Sequence, residues 1–287
     1  MRPPITKMKN NLLLNFNGKI IPQQDLIVGV ENRALRYGDG LFESIRMIDG
    51  KIRFAQAHFD RLYQGMLALK MNIHASFDFS FFVSEINALA KKNDIENDAR
   101  IRFSVFRSDG GLYTPNSNNF LYLIELQPIT EKGYQWNKKG LIVDIYSETR
   151  KDFGYLSKYK TINCLPYVLA GIAAQELNVD TCILLNTKDD IVEATNSNLF
   201  FVKDNMLFTP AIQDGCTDGV MRKVVIQIAQ HLGIKVYENK VPLQSLAIAD
   251  EIFLTNSATG IQWVVGYRGK RYFSRVARLI YDELQKK

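Results

Sequence analysis

Cysteine is scarce in this chain, and its placement is uninformative for cross-linking. Cys164, Cys182 and Cys216 are far apart, odd in number and outside any C-x-x-C pattern. That excludes a disulfide framework or a zinc ribbon and points to a reducing, cytoplasmic setting. Histidine is equally sparse, and with three in 287 residues no H-E-x-x-H or other metal-ligand spacing can be assembled. No apolar run approaches the roughly 20 residues of a membrane span. The opening stretch "MRPPITKMKNNLLLNF" has three consecutive leucines, too few for a secretory core, so no signal peptide is expected; residues 1–10 are expected to be disordered. A G-x-S-x-G nucleophile elbow is lacking too. "GDG" at 38–40 lacks the third glycine of a dinucleotide fingerprint and opens a strand, so it reads as a turn. There is no internal repeat and no low-complexity segment.

What is present is the balance of an ordinary globular protein, 46% hydrophobic and 23% charged. The net charge of +6 is spread over the chain apart from a mildly basic "YRGKRYFSRVARL" near the end. A nucleic-acid interface would gather its basic residues on one element, so neither nucleic acid nor membrane is expected as a partner. The surplus of positive charge suits small anionic ligands.

Periodicity divides the chain into two units. In "LLLNFNGKIIP" and "LFESIRMIDGKIRFA" the pairs Asn17-Gly18 and Asp49-Gly50 are strong hairpin signals. "AQAHFDRLYQGMLALKM" reads as an amphipathic helix with Phe59, Leu62, Met66 and Leu69 on one face. A second helix over about 80–92 and two strands, "ARIRFSVFR" and "NNFLYLIELQPI", complete a small α+β domain over 11–126. The polar, Pro- and Gly-containing stretch 127–139 reads as an interdomain linker. A larger domain over 140–287 follows. It has a strand "GLIVDIYSE", a helix "LPYVLAGIAAQEL" with Pro166 in its first turn, two hairpins, a helix from "GVMRK", a strand "DEIFLTNS" and a closing helix.

The candidate chemistry lies in lysines, glutamates and anion sites. Lys160 stands just before an apolar helix, where partial desolvation would favour a neutral, nucleophilic amine. An exposed lysine is the ordinary alternative. Glu193 lies on a strand between apolar residues, and if it faces inward it requires a cationic or protonated partner. Arg61 in "HFDRLY" offers a planar fork of donors. The helix start at "DGVMRK" offers backbone N–H groups for an anion, and "TNSATG" at 255–260 could add more. A desolvated lysine, an inward glutamate and a phosphate cup together match the needs of pyridoxal 5′-phosphate (PLP).

The stretches "NRALRYGDGLFESIR", "HFDRLY", "KTIN", "EATNSNLFFV", "GVMR" and "NSATGI", in this order and spacing, resemble those of the class IV aminotransferases, the fold-type IV PLP enzymes. The resemblance covers roughly residues 15–285. It implies a two-domain α+β / α/β fold with the cofactor in the interdomain cleft, and a homodimer. It implies that Lys160 is the Schiff-base lysine and general base, and Glu193 the partner of the pyridine nitrogen. Arg61 would bind the phosphate, with Gly219 and Val220 at a helix start and Ser257 and Ala258 in a second phosphate loop. Asn196 and Asn198 would order the turn after Glu193, and Lys158 would be a surface charge.

Substrate recognition is open at this stage. "FESIR" with Arg46 resembles branched-chain aminotransferases. "KTIN", "GVMR" and "FRSDGGLY" resemble aminodeoxychorismate lyase, although Leu112-Tyr113 stands where that lyase carries an arginine. Phe42 replaces the tyrosine of D-amino acid aminotransferases. Arg102 and Arg107 are five apart on one strand and so face opposite sides. Arg107, beside the loop, is expected to meet the substrate carboxylate, with Phe42, Arg46 and Tyr113 nearby. The leading expectation is therefore an aminotransferase working between an α-amino acid and a 2-oxo acid. The lyase and a catalytically silent binding protein of the same fold are the alternatives.

Overall fold

The structure, a computed structural model, describes residues 12–287. The expectation for residues 1–10 therefore lies outside the described residues. The chain divides into two compact units, Met1–Lys132 and Gly133–Lys287.

The first unit carries β1 (Leu13–Phe16), β2 (Lys19–Pro22), α1 (Arg33–Tyr37), β3 (Gly40–Ile48) and β4 (Lys51–Ile52). It continues with α2 (Ala55–Ala68), α3 (Phe79–Lys92), β5 (Ala99–Arg107) and β6 (Phe120–Pro128). The strands form a six-stranded sheet in the order β2-β1-β6-β5-β3-β4. Both expected hairpins form, and Asn17, Gly18, Asp49 and Gly50 all take positive φ, as two-residue turns of this kind require. One face of β5 presents Ile101, Phe103 and Val105, all fully buried, and α3 brings Phe82, Ile86 and Leu89. Phe82 packs against Phe103 with ring centroids 4.8 Å apart, and Phe59 of α2 reaches Phe82 at 5.7 Å. Each such side chain contributes roughly 1.5–3 kcal/mol by burial, so this aromatic layer fixes where α2 and its Arg61 lie on the sheet. Helix α1 was not foreseen. It is a five-residue turn capped by Asn32, whose side chain accepts from Leu35 N, and ended by Gly38 at φ 63°.

The second unit begins with β7 (Leu141–Lys151), α4 (Leu165–Glu176), β8 (Thr181–Asn186), β9 (Asp190–Ala194), β10 (Ser197–Lys203) and β11 (Met206–Pro210). There follow α5 (Val220–His231), β12 (Val236–Asn239), β13 (Val241–Pro242), α6 (Ser245–Ile248), β14 (Glu251–Asn256), β15 (Gly260–Tyr267), β16 (Lys270–Arg271) and α7 (Arg275–Leu284). The strand order is β12-β11-β10-β14-β15-β7-β8-β9-β13, and β10 also pairs with β9. That extra pairing closes β10-β14-β15-β7-β8-β9 into a ring, which removes the sheet edges there. One face of the ring is a cluster drawn from all six strands, among them Val143, Ile183, Ile191, Leu199, Ile252 and Val264. The other face gathers Tyr146, Cys182, Leu184 and Val192 against Ala170 and Ala174 of α4. Strand β8 is buried on both sides, which is why "TCILLN" reads as a continuous apolar run. Strand β15 escaped the sequence reading because its Gly- and Gln-interrupted "GIQWVVGY" shows neither clean alternation nor a turn signal.

Candidate active site

Glu193 is placed by a bulge. Leu185 pairs with Ile191 and Leu184 with Glu193, so Val192 is an extra residue in β9. A bulge of this kind turns consecutive side chains to one face. Glu193 thus leaves the ring's six-strand cluster and joins Leu184 and Val192 on the face that carries α4. It is 3% exposed. Its Oε1 accepts from the Lys151 ammonium, from the Tyr167 hydroxyl at 2.7 Å and from the Thr217 hydroxyl at 3.2 Å. Its Oε2 accepts from the Thr217 backbone N–H at 2.9 Å. Burial alone would push this carboxyl up. The Lys151 charge and the hydrogen bonds outweigh burial and hold it below the usual carboxylate range. An ionised carboxylate is what a protonated pyridine nitrogen requires of its partner.

Three members of this network were missed from the sequence. Lys151 ends β7, which was expected to stop at Glu148; an irregularity between Tyr146 and Lys151 carries the strand on to pair with Asn186. Tyr167, in the first turn of α4, is pushed far up by burial and by the Glu193 charge, so its hydroxyl stays a donor. Thr217 comes from the turn before α5. Neither lysine spacing nor strand alternation could have marked them. The proline-opened "CLPY" was the one available hint that Tyr167 starts a helix.

Lys160 is half-buried in the 152–164 connection, five residues before α4. Two bonds tie that connection to the Glu193 network: Lys151 Nζ donates to Ser157 O at 3.3 Å, and Asp218 N donates to Lys158 O at 3.0 Å. Lys158 itself is half-buried, with its ammonium 5.1 Å from the Tyr159 ring centre.

Gly219 is the N-cap of α5 in extended conformation, and no side chain caps this helix. Its first turn, beginning at Val220, holds no acidic residue. A Cβ on Gly219 would lie 1.9 Å from Asn198 Oδ1, so only glycine fits there. Asn198 in turn donates to Thr217 O at 2.8 Å, holding the turn that leads into α5. Asn196 accepts from Ser197 Oγ in the turn between β9 and β10. In the other expected phosphate loop, Ser257 is buried and its carbonyl accepts from Tyr134. The Ala258 N–H is taken by Asn256 Oδ1 at 3.0 Å, which also takes Thr259 N.

In the first unit, Arg61 is buried and donates its Nε–H to Glu43 Oε1 at 2.8 Å and an Nη–H to Glu43 Oε2. His58 Nδ1 is 2.6 Å from the same carboxylate. Two arginines expected at the substrate are instead tied into the fold. Arg46 is buried, with donors on Asp98 and on Glu131 O at 2.7 Å each. Arg107 bonds Asp39 twice, Asn118 at 2.7 Å and Leu69 O at 2.7 Å. These contacts hold both guanidiniums in buried ion pairs of the first unit, which corrects the expectation for both. Arg102, set aside earlier, is half-buried and lies over the Phe42 ring, its guanidinium carbon 3.7 Å from the ring centre. Tyr113 is exposed, with its ring 5.6 Å from that of Tyr37.

The second unit fits a PLP cofactor on its own residues. It offers a buried, ionised carboxylate, a half-buried lysine, and a helix start that a Cβ would block and whose dipole favours an anion. The amino-transferase class IV family matches residues 40–267, and the chain belongs to it. A relative assigned as a branched-chain-amino-acid aminotransferase in Methanocaldococcus jannaschii is 32% identical over 281 residues, 95% of this chain and 93% of that one. A D-alanine aminotransferase of Staphylococcus epidermidis is 24% identical over 94% of both chains. The crystal structure of the Escherichia coli branched-chain amino acid aminotransferase superposes with a TM-score of 0.85 at 26% identity, covering 96% of this chain and 94% of that one. The expected fold type IV therefore holds, and the chain is a PLP-dependent aminotransferase. Among the described residues no helix is long and apolar enough to cross a membrane.

Proposed function

We propose that the enzyme moves an amino group between an aliphatic α-amino acid and a 2-oxo acid, with 2-oxoglutarate as acceptor. The observation that carries this reading is Glu193, a buried carboxylate kept ionised by Lys151, Tyr167 and Thr217 in the unit that also carries Lys160. Bound PLP supplies an electron sink for the bond broken at the substrate Cα. Glu193 would hold the ring nitrogen as a cation, and Lys160 would hold the cofactor's aldehyde end and move the proton at the substrate Cα. The helix start at Gly219 and Val220 would take the phosphate through the Val220 N–H. Gly219, whose N–H goes to Thr217 O at 2.8 Å, and Ser257 and Ala258 would shape the cup, and Arg61 is retained as a phosphate ligand on the family resemblance. Arg102 is taken in place of Arg107 as the group for the substrate carboxylate, because it is half-buried and its guanidinium rests on the Phe42 ring. The aliphatic substrate follows the printed names of the M. jannaschii and E. coli proteins.

A homodimer remains part of the proposal. It is supported by the apolar side chains of Leu165, Val168, Leu169 and Ile172 that α4 exposes in the single chain. Sedimentation of the purified protein checks it.

The test of function mixes holoenzyme with L- and D-amino acids one at a time, then adds 2-oxo acids. Conversion of the cofactor to its amine form by aliphatic amino acids, reversed by 2-oxoglutarate, is the expected result. Release of pyruvate and 4-aminobenzoate from aminodeoxychorismate alone, without any amino-acid half-reaction, would establish the lyase in its place.

A further inference from the structure

Glu193 serves a lysine before it serves any ligand. Three donors converge on its Oε1, the Lys151 ammonium among them, whereas Oε2, among the described residues, accepts only from Thr217 N. Oε2 thus carries one donor where Oε1 carries three, and it has room for one further N–H donor while Lys151 stays on Oε1. The ammonium is also held from its other side by Ser157 O at 3.3 Å and Thr217 Oγ1 at 3.4 Å, and its side chain is 10% exposed. It is therefore built into the site from the end of β7. Of the other titratable groups around Glu193, Tyr167 from α4 donates to the carboxylate and stays neutral, its hydroxyl pushed far up by burial. Cys216 before α5, pushed up chiefly by burial to about 12, donates its thiol to Pro210 O and Ala211 O, and the charges of Asp218 and Arg222 act on the same corner. Lys151 and Glu193 already balance each other's charge. A ring cation accepted on Oε2 would bring two cations to one carboxylate.

We propose that Lys151 is a positioning residue: its ammonium stays on Glu193 when PLP is bound, shares that carboxylate with the ring nitrogen, and so weakens the hold on the ring as a cation. This rests on the assignment of Glu193 as the ring-nitrogen partner. The same pinning keeps Lys151 from acting as the amine that anchors the cofactor, which leaves that role to Lys160. The lysine thus sets how strong an electron sink the cofactor becomes, without touching the reacting atoms.

The experiment uses holoenzyme loaded with PLP that is isotope-labelled at the ring nitrogen, whose chemical shift reports its protonation during a pH titration. Wild type, Lys151→Met and Lys151→Arg are compared. A like charge within a few ångströms disfavours a cation by about one to three pH units. The ring nitrogen in Lys151→Met is therefore expected to hold its proton about ten- to a thousandfold more tightly than in wild type, and Lys151→Arg to restore the wild-type titration. As a second readout, affinity for PLP is compared with affinity for an analogue carrying a C–H in place of the ring nitrogen. The ratio should rise in Lys151→Met, whereas a merely structural lysine would move both affinities together. An unchanged titration in Lys151→Met, or Lys151→Arg behaving like Lys151→Met, overturns the inference. Should Lys151→Met not fold, the wild type decides: a ring nitrogen that keeps its proton wherever the protein is folded overturns it, and one that releases it within that range supports it. Failure of the wild type to bind PLP at all would overturn the functional reading itself, a separate outcome.

Discussion

Glu43 on β3 accepts a two-pronged bond from Arg61 on α2, and the same carboxylate receives His58 one helical turn earlier. The stretches "GDGLFE" and "HFDR" are thus halves of one buried charge cluster. Burial would raise the Glu43 carboxyl, but the Arg61 charge and the hydrogen bonds from His58 and Arg61 prevail and lower it to about 2 from 4.5. A carboxyl depressed in the folded state stabilises the protein above its unfolded value, and that contribution fades as pH falls from about 4.5 through about 2. The gap corresponds to about 3 kcal/mol. Glu43→Gln leaves a buried guanidinium uncompensated and should cost roughly 3–5 kcal/mol at neutral pH, with a flatter acid limb. Urea unfolding of both proteins over that acid range checks this; parallel pH profiles would refute it.

The fate of Arg61 itself is read by ligand choice. If it meets the phosphate, Arg61→Ala should weaken PLP by about tenfold or more, the loss of a charge-assisted hydrogen bond of roughly 1.5–3 kcal/mol. Pyridoxal, which lacks the phosphate, should bind the variant and the wild type equally. Equal losses for both ligands would make Arg61 a part of the fold alone.

The two strand arginines separate fold from function. Arg107→Ala removes a buried cation with four hydrogen bonds and leaves Asp39 to Arg33, so it should destabilise by roughly 3–5 kcal/mol. Arg102→Ala gives up the stack on Phe42 from a half-buried position and should shift the unfolding midpoint less than Arg107→Ala does. It should raise KM for the amino acid by about tenfold, as loss of a charge-assisted contact does. A normal KM in folded Arg102→Ala would remove it from the substrate site.

Much of this was legible beforehand, and the failures have physical causes. Long periodic segments such as β5, α2, α3 and α5 followed from apolar spacing, and the hairpins from their Asn-Gly and Asp-Gly turns. Glu193 was recognisable as a strand glutamate in need of a cation. Its partner was not, because Lys151 reaches it through an irregular extension of β7 that breaks the period-two pattern. Arg107 was misread because spacing tells which face a side chain takes and not what waits there. Asp39 lies 68 residues away in the chain.

Glu193→Gln should separate electronics from architecture. The amide keeps the volume and one acceptor oxygen but loses the charge that holds Lys151 and would hold the ring nitrogen. Cofactor should still bind, while turnover falls on the order of a hundredfold, ~2.7 kcal/mol on the barrier. Stopped-flow half-reactions and cofactor titration measure the two separately. Full turnover would reduce Glu193 to a strand residue with a buried ion pair.

Gly219 offers the sharpest steric test. Its φ of −68° suits any residue, so backbone strain is not the issue. The obstacle is Asn198, whose Oδ1 would lie 1.9 Å from an added Cβ. Gly219→Ala must therefore push the Asn198 side chain aside and break its 2.8 Å bond to Thr217 O. The turn 217–219 would move, and with it Thr217, which gives Glu193 both its backbone N–H and its hydroxyl. Overpacking of this kind costs about 1–3 kcal/mol. PLP affinity should drop with it, because the start of α5 and the Glu193 network are disturbed together. Shortening the neighbour should relieve the clash: Gly219→Ala combined with Asn198→Ala is expected to be more stable than Gly219→Ala alone and to recover part of the cofactor affinity. Thermal unfolding and PLP titration of the four proteins in this cycle measure the coupling. Strict additivity of the two substitutions would show that Asn198 does not hold the turn against Gly219.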